Sequence, residues 1–224
     1  MSTKTEPTSK ELALMIEHTI LSGDLNEERI KNHIKEALDL NVFGVCLPVA
    51  WVPLAKKLSF GTDLKIVTVI DFPLGKKTAQ LKADEAQSAF MLGADEIDMV
   101  LDYEALIEKN YQKALTDLQS VVRQVPIPIK VIVETSALTR EQLAIACALV
   151  ALSGARFIKT STGFHKAGAK ADDIRLMREI LPESVSIKAS GGIKDYHSAK
   201  LMVLAGAERL GCSKSKDILL GCSS

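Results

Sequence analysis

Residues 78–101 read TAQLKADEAQSAFMLGADEIDMVL, and this stretch holds one complete helix-then-strand unit. Thr78 is a residue type that caps the free N–H groups of a first helical turn, and AQLKADEAQSAFML follows it as a helical stretch. Gly93-Ala94 closes that helix, because glycine takes the left-handed conformation of many helix ends without steric cost. Glu96 to Leu101 is too short for another helix and reads as a buried strand.

The same rhythm runs outward in both directions. Leu25 to Leu40 places Ile30, Ile34, Ala37 and Leu38 on one helical face, and the β-prone run Val42 to Leu47 follows it. Lys65 to Asp71, Ile129 to Glu134, Arg156 to Thr160, Val185 to Ala189 and Arg209 to Ser213 are further short strands, and Thr139 with Gln142 forms a capping box ahead of another helix. Gly154-Ala155 and Gly206-Ala207 repeat the Gly93-Ala94 junction. With Ile16 to Leu21 as a first strand the count is eight. Alternating units whose strands are apolar on both faces predict a parallel sheet. Eight of them favour an α/β fold of one kind, a single (β/α)8 TIM barrel with parallel strands; a doubly wound open sheet is the competing arrangement. No Pro-, Gly- or Ser-rich linker divides the chain. Residues 11–224 therefore read as one barrel domain, and residues 1–10, MSTKTEPTSK, as a polar, disordered N-terminal tail.

Composition narrows the partner. Of 224 residues 47% are hydrophobic, enough for a sizeable core, and 28 Lys and Arg balance 28 Asp and Glu. No global field draws nucleic acid or an anionic membrane, so any anion site must be built locally and the partner is a small molecule. Cys46, Cys147, Cys212 and Cys222 form no CxxC pair, which suits a reducing compartment. The N-terminus has no apolar signal core and no run is long enough to span a bilayer, so the expected location is cytoplasmic.

Chemistry in such a barrel sits at the C-terminal ends of the strands. The apolar runs end in or near Asp71, Asp98, Glu134, Lys159, Lys188 and Ser213. Lys159 in FIKTSTG and Lys188 in SIKASGG lie on neighbouring strands and would point into one barrel mouth; the bland alternative is a pair of side chains snorkelling to solvent. Two close, partly desolvated ammonium groups lower at least one pKa, and a neutral amine attacks carbonyls. Asp98 is placed to hold both cations or to shuttle protons. Ser161-Thr162-Gly163, Ser190-Gly191-Gly192 and Gly211-Cys212-Ser213 are loops able to offer backbone donors to a phosphate, the last two where barrels commonly bind it. His18, His33, His165 and His197 show no zinc spacing, and His33 and His197 fall on helices as solvent-facing residues. Magnesium on Asp71, Asp98 and Glu134 is disfavoured by the adjacent lysine charge, so neither metal nor cofactor is expected.

The motifs IEHTIL, GVCLP, VTVIDFPLG, GADEIDMVLDY, KVIVETSAL, FIKTSTGF, IKASGGI and RLGCS, in this order, resemble the deoxyribose-phosphate aldolase family over nearly the full length. The resemblance implies reversible, metal-free cleavage of 2-deoxy-D-ribose 5-phosphate to acetaldehyde and D-glyceraldehyde 3-phosphate. It implies Lys159 as the Schiff-base nucleophile, with Lys188 perturbing its pKa and joining Asp98 in a proton relay. It implies phosphate or substrate contacts at Gly163, Gly191, Gly192, Gly211 and Ser213, with Lys214, Glu17 and Cys46 as further substrate-site residues. Three departures stand out. Glu17 occupies a position usually held by aspartate, which puts substrate preference in question. Lys214 follows Ser213 where a second serine is usual, offering charge in place of a hydroxyl. The chain stops at Gly221-Cys222-Ser223-Ser224 without the tyrosine-ended tail of some members. Homo-oligomerisation as a dimer or tetramer is expected, because barrels commonly associate through exposed helix faces. A keto-acid aldolase, a transaldolase or a catalytically silent phosphometabolite-binding barrel are the competing readings, and the Lys159, Lys188 and Asp98 set speaks against each.

Overall fold

Strand β1 (Ile16–Thr19) pairs in parallel with β8 (Arg209–Cys212), Ile16 opposite Leu210, Glu17 opposite Gly211 and His18 opposite Cys212. That seam decides against an open sheet. In this computed structural model, which describes residues 6–222, β2 (Gly44–Pro48), β3 (Lys65–Ile70), β4 (Glu96–Val100), β5 (Ile129–Ile132), β6 (Phe157–Lys159) and β7 (Ser186–Ser190) complete a closed barrel in chain order. Helix α1 (Ser9–Ala13) precedes β1. The strands are followed in turn by α2 (Glu27–Asp39), α3 (Val52–Leu58), α4 (Ala79–Met91), the pair α5 (Tyr103–Ile107) and α6 (Tyr111–Gln124), α7 (Arg140–Ser153), α8 (Ala171–Ile180), α9 (Tyr196–Ala205) and α10 (Ser215–Leu220). Among the described residues no helix is long and apolar enough to cross a membrane.

The helix ends follow the residues that encode them. Thr78 accepts from the Leu81 N–H at the start of α4, and Thr139 and Gln142 cap each other's backbone at the start of α7. Gly93, Gly154 and Gly206 all have positive φ where their helices stop. The expected disordered tail is corrected at its C-terminal end. Thr8 and Glu11 form a capping box for α1, and Leu12 is fully buried; the T-x-x-E signature was present in the sequence. Residues 1–5 of that tail lie outside the described residues.

The strands are not apolar on both faces. Ile97, Met99, Val131, Ile158, Ile187, Ala189 and Leu210 join the core between sheet and helices. Side chains alternate across a strand, so Glu96, Asp98, Lys130, Lys159, Lys188 and Arg209 turn the other way and meet inside the barrel. The main apolar core is thus a shell around a charged interior.

A second correction concerns His33. It does not face solvent but lies buried against His18, the rings stacked 3.9 Å apart at 13°, with His33 Nε2–H donating to the His18 carbonyl at 3.1 Å. Burial pushes His18 down to about 4 and, with His18 beside it, His33 down to about 3; it outweighs the Glu36 carboxylate, 3.7 Å from His18 Nε2. Both rings are neutral in the fold at pH 7. Below the unfolded value of about 6.5 the unfolded chain binds protons that the fold refuses. Stability conferred by the pair is therefore complete above about pH 6.5 and is lost as pH falls toward 4. With a limit of about 1.4 kcal/mol per pH unit per ring, the loss from pH 7 to 5 amounts to a few kcal/mol. Urea midpoints at the two pH values check this, and His33→Phe, which keeps a ring but not its titration, should lessen the fall.

Candidate active site

Seven charged side chains fill the barrel interior. Lys130 reaches Glu17 at 3.3 Å, Glu96 at 2.7 Å and Asp98 at 2.9 Å. Arg209 bonds Glu17 at 3.1 Å and Glu96 at 3.2 Å, and its guanidinium lies 3.4 Å over the Phe43 ring. Lys188 bonds Glu17 and, at 2.6 Å, Asp98 Oδ2. Lys159 donates to the same Oδ2 at 2.8 Å, its single carboxylate contact among the described residues. Four cations face three carboxylates, and Lys159 is the cation least compensated.

The electrostatics follow from this packing. Burial would raise the carboxyl of Asp98, but Lys130, Lys159 and Lys188 hold it well below the ordinary range. Glu17 is held below its usual value in the same way, by Lys130 and Lys188 against burial. Burial would lower Lys188, but Asp98 and Glu17 override it and push it up. The expectation that two converging lysines depress a pKa fails for Lys188, because a carboxylate oxygen sits between the two ammonium groups. At rest Lys188 is an ammonium group beside Lys159, bonded to Asp98 and Glu17.

A cavity of about 520 Å³ opens above this cluster, and Lys159 is the one member of the cluster that lines it. The cavity wall also includes Gly163, Gly191 and Gly192, and Gly211, Ser213 and Lys214 at and after the end of β8. Gly191 and Gly192 have φ of 89° and 76° in succession, a conformation that only glycine adopts cheaply. Gly211 has a different reason to be glycine: a Cβ there would lie 3.0 Å from Lys188 Cε and from Ser190 Cβ. It makes room for the buried lysine.

Four residues singled out from the sequence sit elsewhere. Glu17 and Cys46 are fully buried beneath the cavity and do not line it. Glu17 is committed to Lys188, Lys130 and Arg209 as counter-ion, and burial, with Asp98 beside it, pushes the Cys46 thiol up to about 11. Glu134 accepts from the Thr162 N–H at 3.0 Å and hydroxyl at 2.6 Å, fixing the loop after β6. Asp71 accepts from the Lys77 N–H and pairs with buried Lys82 at 3.3 Å. Glu17, Cys46 and Asp98 bring ligand atoms within 4.8 Å of one another, but their carboxylates are already taken by lysines, so the set does not suit a dication.

Sequence reasoning missed Lys130, Glu96 and Arg209, though charges two apart in Glu96-Ile97-Asp98 signal an inward-facing charged register. It also missed Gly168. A Cβ on that residue would meet the Gly191 carbonyl oxygen at 2.1 Å, and the neighbouring Ala169 N–H donates to the same oxygen at 3.0 Å. Gly168→Ala is expected to push the Gly191 loop aside and raise KM for a phosphorylated substrate by about tenfold, the equivalent of roughly 1.4 kcal/mol, with kcat less affected. Steady-state kinetics checks it.

Fold and site together define a barrel enzyme with a lysine–carboxylate centre under a glycine-lined cavity. The sequence model of the DeoC/LacD family aldolases matches residues 12–209. This chain belongs to that family. It is 43% identical over 206 residues to a deoxyribose-phosphate aldolase of Coprothermobacter proteolyticus, covering 92% of this chain and 94% of the relative. It is 43% identical over 216 residues to one of Halalkalibacterium halodurans, covering 95% and 96%. Among solved structures it is similar to the deoxyribose phosphate aldolase of Aeropyrum pernix, described as tetrameric, at 28% identity and a TM-score of 0.87 over 95% of this chain and 91% of that one.

Proposed function

We propose that this chain cleaves 2-deoxy-D-ribose 5-phosphate reversibly to acetaldehyde and D-glyceraldehyde 3-phosphate through a Schiff base on Lys159. The observation that carries the reading is placement: one lysine of the buried cluster lines the same cavity as loops able to hold a phosphate. Family membership and the names of the relatives support it.

The chemistry can be followed through the residues. Lys159 Nζ, having given up a proton, adds to the C1 aldehyde of the open-chain sugar, and loss of water leaves a protonated imine. Removal of the C3 hydroxyl proton lets the C2–C3 electron pair flow into that imine, releasing D-glyceraldehyde 3-phosphate and leaving an enamine. Protonation at C2 and hydrolysis give acetaldehyde and free the lysine. Asp98 touches Nζ and Lys188 together, so these two groups form the relay that moves protons at the nitrogen and, through a positioned water, at the C3 hydroxyl. Gly163, Gly191, Gly192, Gly211, Ser213 and Lys214 form the phosphate end. Neither metal nor cofactor enters the scheme.

Incubation with acetaldehyde, borohydride reduction and peptide mapping tests this directly. A two-carbon adduct on Lys159 is expected; folded protein with none on that residue overturns the nucleophile assignment. The same reading places the protein in the cytoplasm, where four unpaired cysteines are at home, and as a dimer or tetramer, which light scattering would test.

A further inference from the structure

His18, on β1 and itself part of the cavity wall, makes a contact that the reaction scheme does not use. His18 Nδ1 lies 2.8 Å from the hydroxyl of Ser215, the first residue of α10. Both side chains are buried. Ser215 directly follows the Ser213–Lys214 turn that lines the cavity. The other ring nitrogen, Nε2, is buried without a hydrogen-bond partner among the described residues, and Glu36 Oε2 stands 3.7 Å from it. A carboxylate opposite Nε2 favours the tautomer with its proton there, which leaves the Nδ1 lone pair to accept from Ser215. The competing acceptor for that hydroxyl, the Cys212 carbonyl, is more distant at 3.4 Å. The ring itself is fixed from behind by the His33 stack and by the His33 bond to the His18 carbonyl. At the barrel seam His18 is also the register partner of Cys212.

We infer that His18 is a positioning residue for phosphate recognition: through Ser215 it pins the Ser213–Lys214 turn at the spacing from Gly191 and Gly192 that a phosphoryl group requires. Without the bond, the turn must be ordered when substrate arrives, and that cost is taken from affinity. The inference rests on the reading of this cavity as a phosphate site, and the test separates the two.

The readout is the ratio of kcat/KM for 2-deoxy-D-ribose 5-phosphate to that for unphosphorylated 2-deoxy-D-ribose, with inhibition by inorganic phosphate alongside. A generally loosened fold would depress both substrates. His18→Leu and Ser215→Ala are each expected to lower the ratio by about tenfold and to weaken phosphate inhibition in parallel. Their double variant should fall no further. His18→Asn, whose Oδ1 can take the place of Nδ1, should restore most of the ratio. Ser215→Ala removes one oxygen, so it remains informative even if His18→Leu folds poorly. A ratio within about twofold of the parent in Ser215→Ala overturns the inference, as does a loss in His18→Leu that Ser215→Ala does not share. Gly191→Ala is the reference: a ratio that it leaves unmoved overturns the phosphate-site reading, and this inference with it.

Discussion

Lys159→Met is expected to give a protein that is inactive and yet more stable than its parent. Turnover of 2-deoxy-D-ribose 5-phosphate should fall by at least about 10⁴, the scale of loss when a covalent nucleophile is removed. Stability should move the other way because of how the charges are shared. Lys130, Lys159, Lys188 and Arg209 face Glu17, Glu96 and Asp98, and Lys159 holds one carboxylate while each of the others holds at least two. Removing it leaves three cations on three carboxylates, with Asp98 still bonded by Lys130 and Lys188. Methionine fills the space of the lysine stem with a flexible apolar chain. Replacing a whole buried ion pair or triad by apolar side chains stabilises by about 1–4 kcal/mol in favourable cases, and removal of the unmatched cation here is expected to act in the same direction. A urea midpoint that rises at unchanged slope, together with lost turnover, is the expected pair. A midpoint below that of the parent means that Asp98 needs Lys159 as counter-ion, and the surplus-charge argument fails. With Lys159 as the proposed nucleophile, activity is set against stability at this position.

The fold was legible because each unit carried its own punctuation. Thr78, Thr139 and the three Gly-Ala junctions mark helix boundaries by local chemistry, and local chemistry is what a sequence displays directly. The convergence of Lys159, Lys188 and Asp98 was legible for a related reason: a charge inside a short apolar strand has few harmless places to go. The rest depended on which residues face each other across the barrel. Lys130 reads as the start of an apolar run until closure brings Asp98, Glu17 and Glu96 around it. Glu17 reads as a substrate contact until Lys188 and Arg209 are seen to claim its oxygens. His33 sits where a helix face usually meets water, and its burial is decided by the stack on His18 from a different element. Gly168 lies in the loop before α8, and its need for a hydrogen in place of a methyl exists only once Gly191 is packed on it.

Asp98→Asn is the second variant with a large expected effect, and it tests the proposed relay role of Asp98 beside its counter-ion role. The substitution keeps the shape of the side chain but removes the charge beneath Lys130, Lys159 and Lys188, and it turns an NH₂ toward groups that can only donate. Leaving buried cations uncompensated costs about 3–5 kcal/mol, so the urea midpoint should drop clearly. Turnover should fall by at least about 10², the usual contribution of a positioned acid–base group. Adding Lys159→Met tells the two effects apart. The double variant carries Lys130, Lys188 and Arg209 against Glu17 and Glu96, one cation fewer than Asp98→Asn alone, so stability should recover in part while turnover does not. The two changes should therefore be non-additive in stability, by an interaction energy on the order of 1 kcal/mol or more for groups in direct contact. Strict additivity means that Asp98 and Lys159 do not share charge in the fold. Asp98→Asn with parental turnover and parental stability removes both the relay and the counter-ion role, and the partner of the nucleophile must then be sought among Lys188 and cavity water.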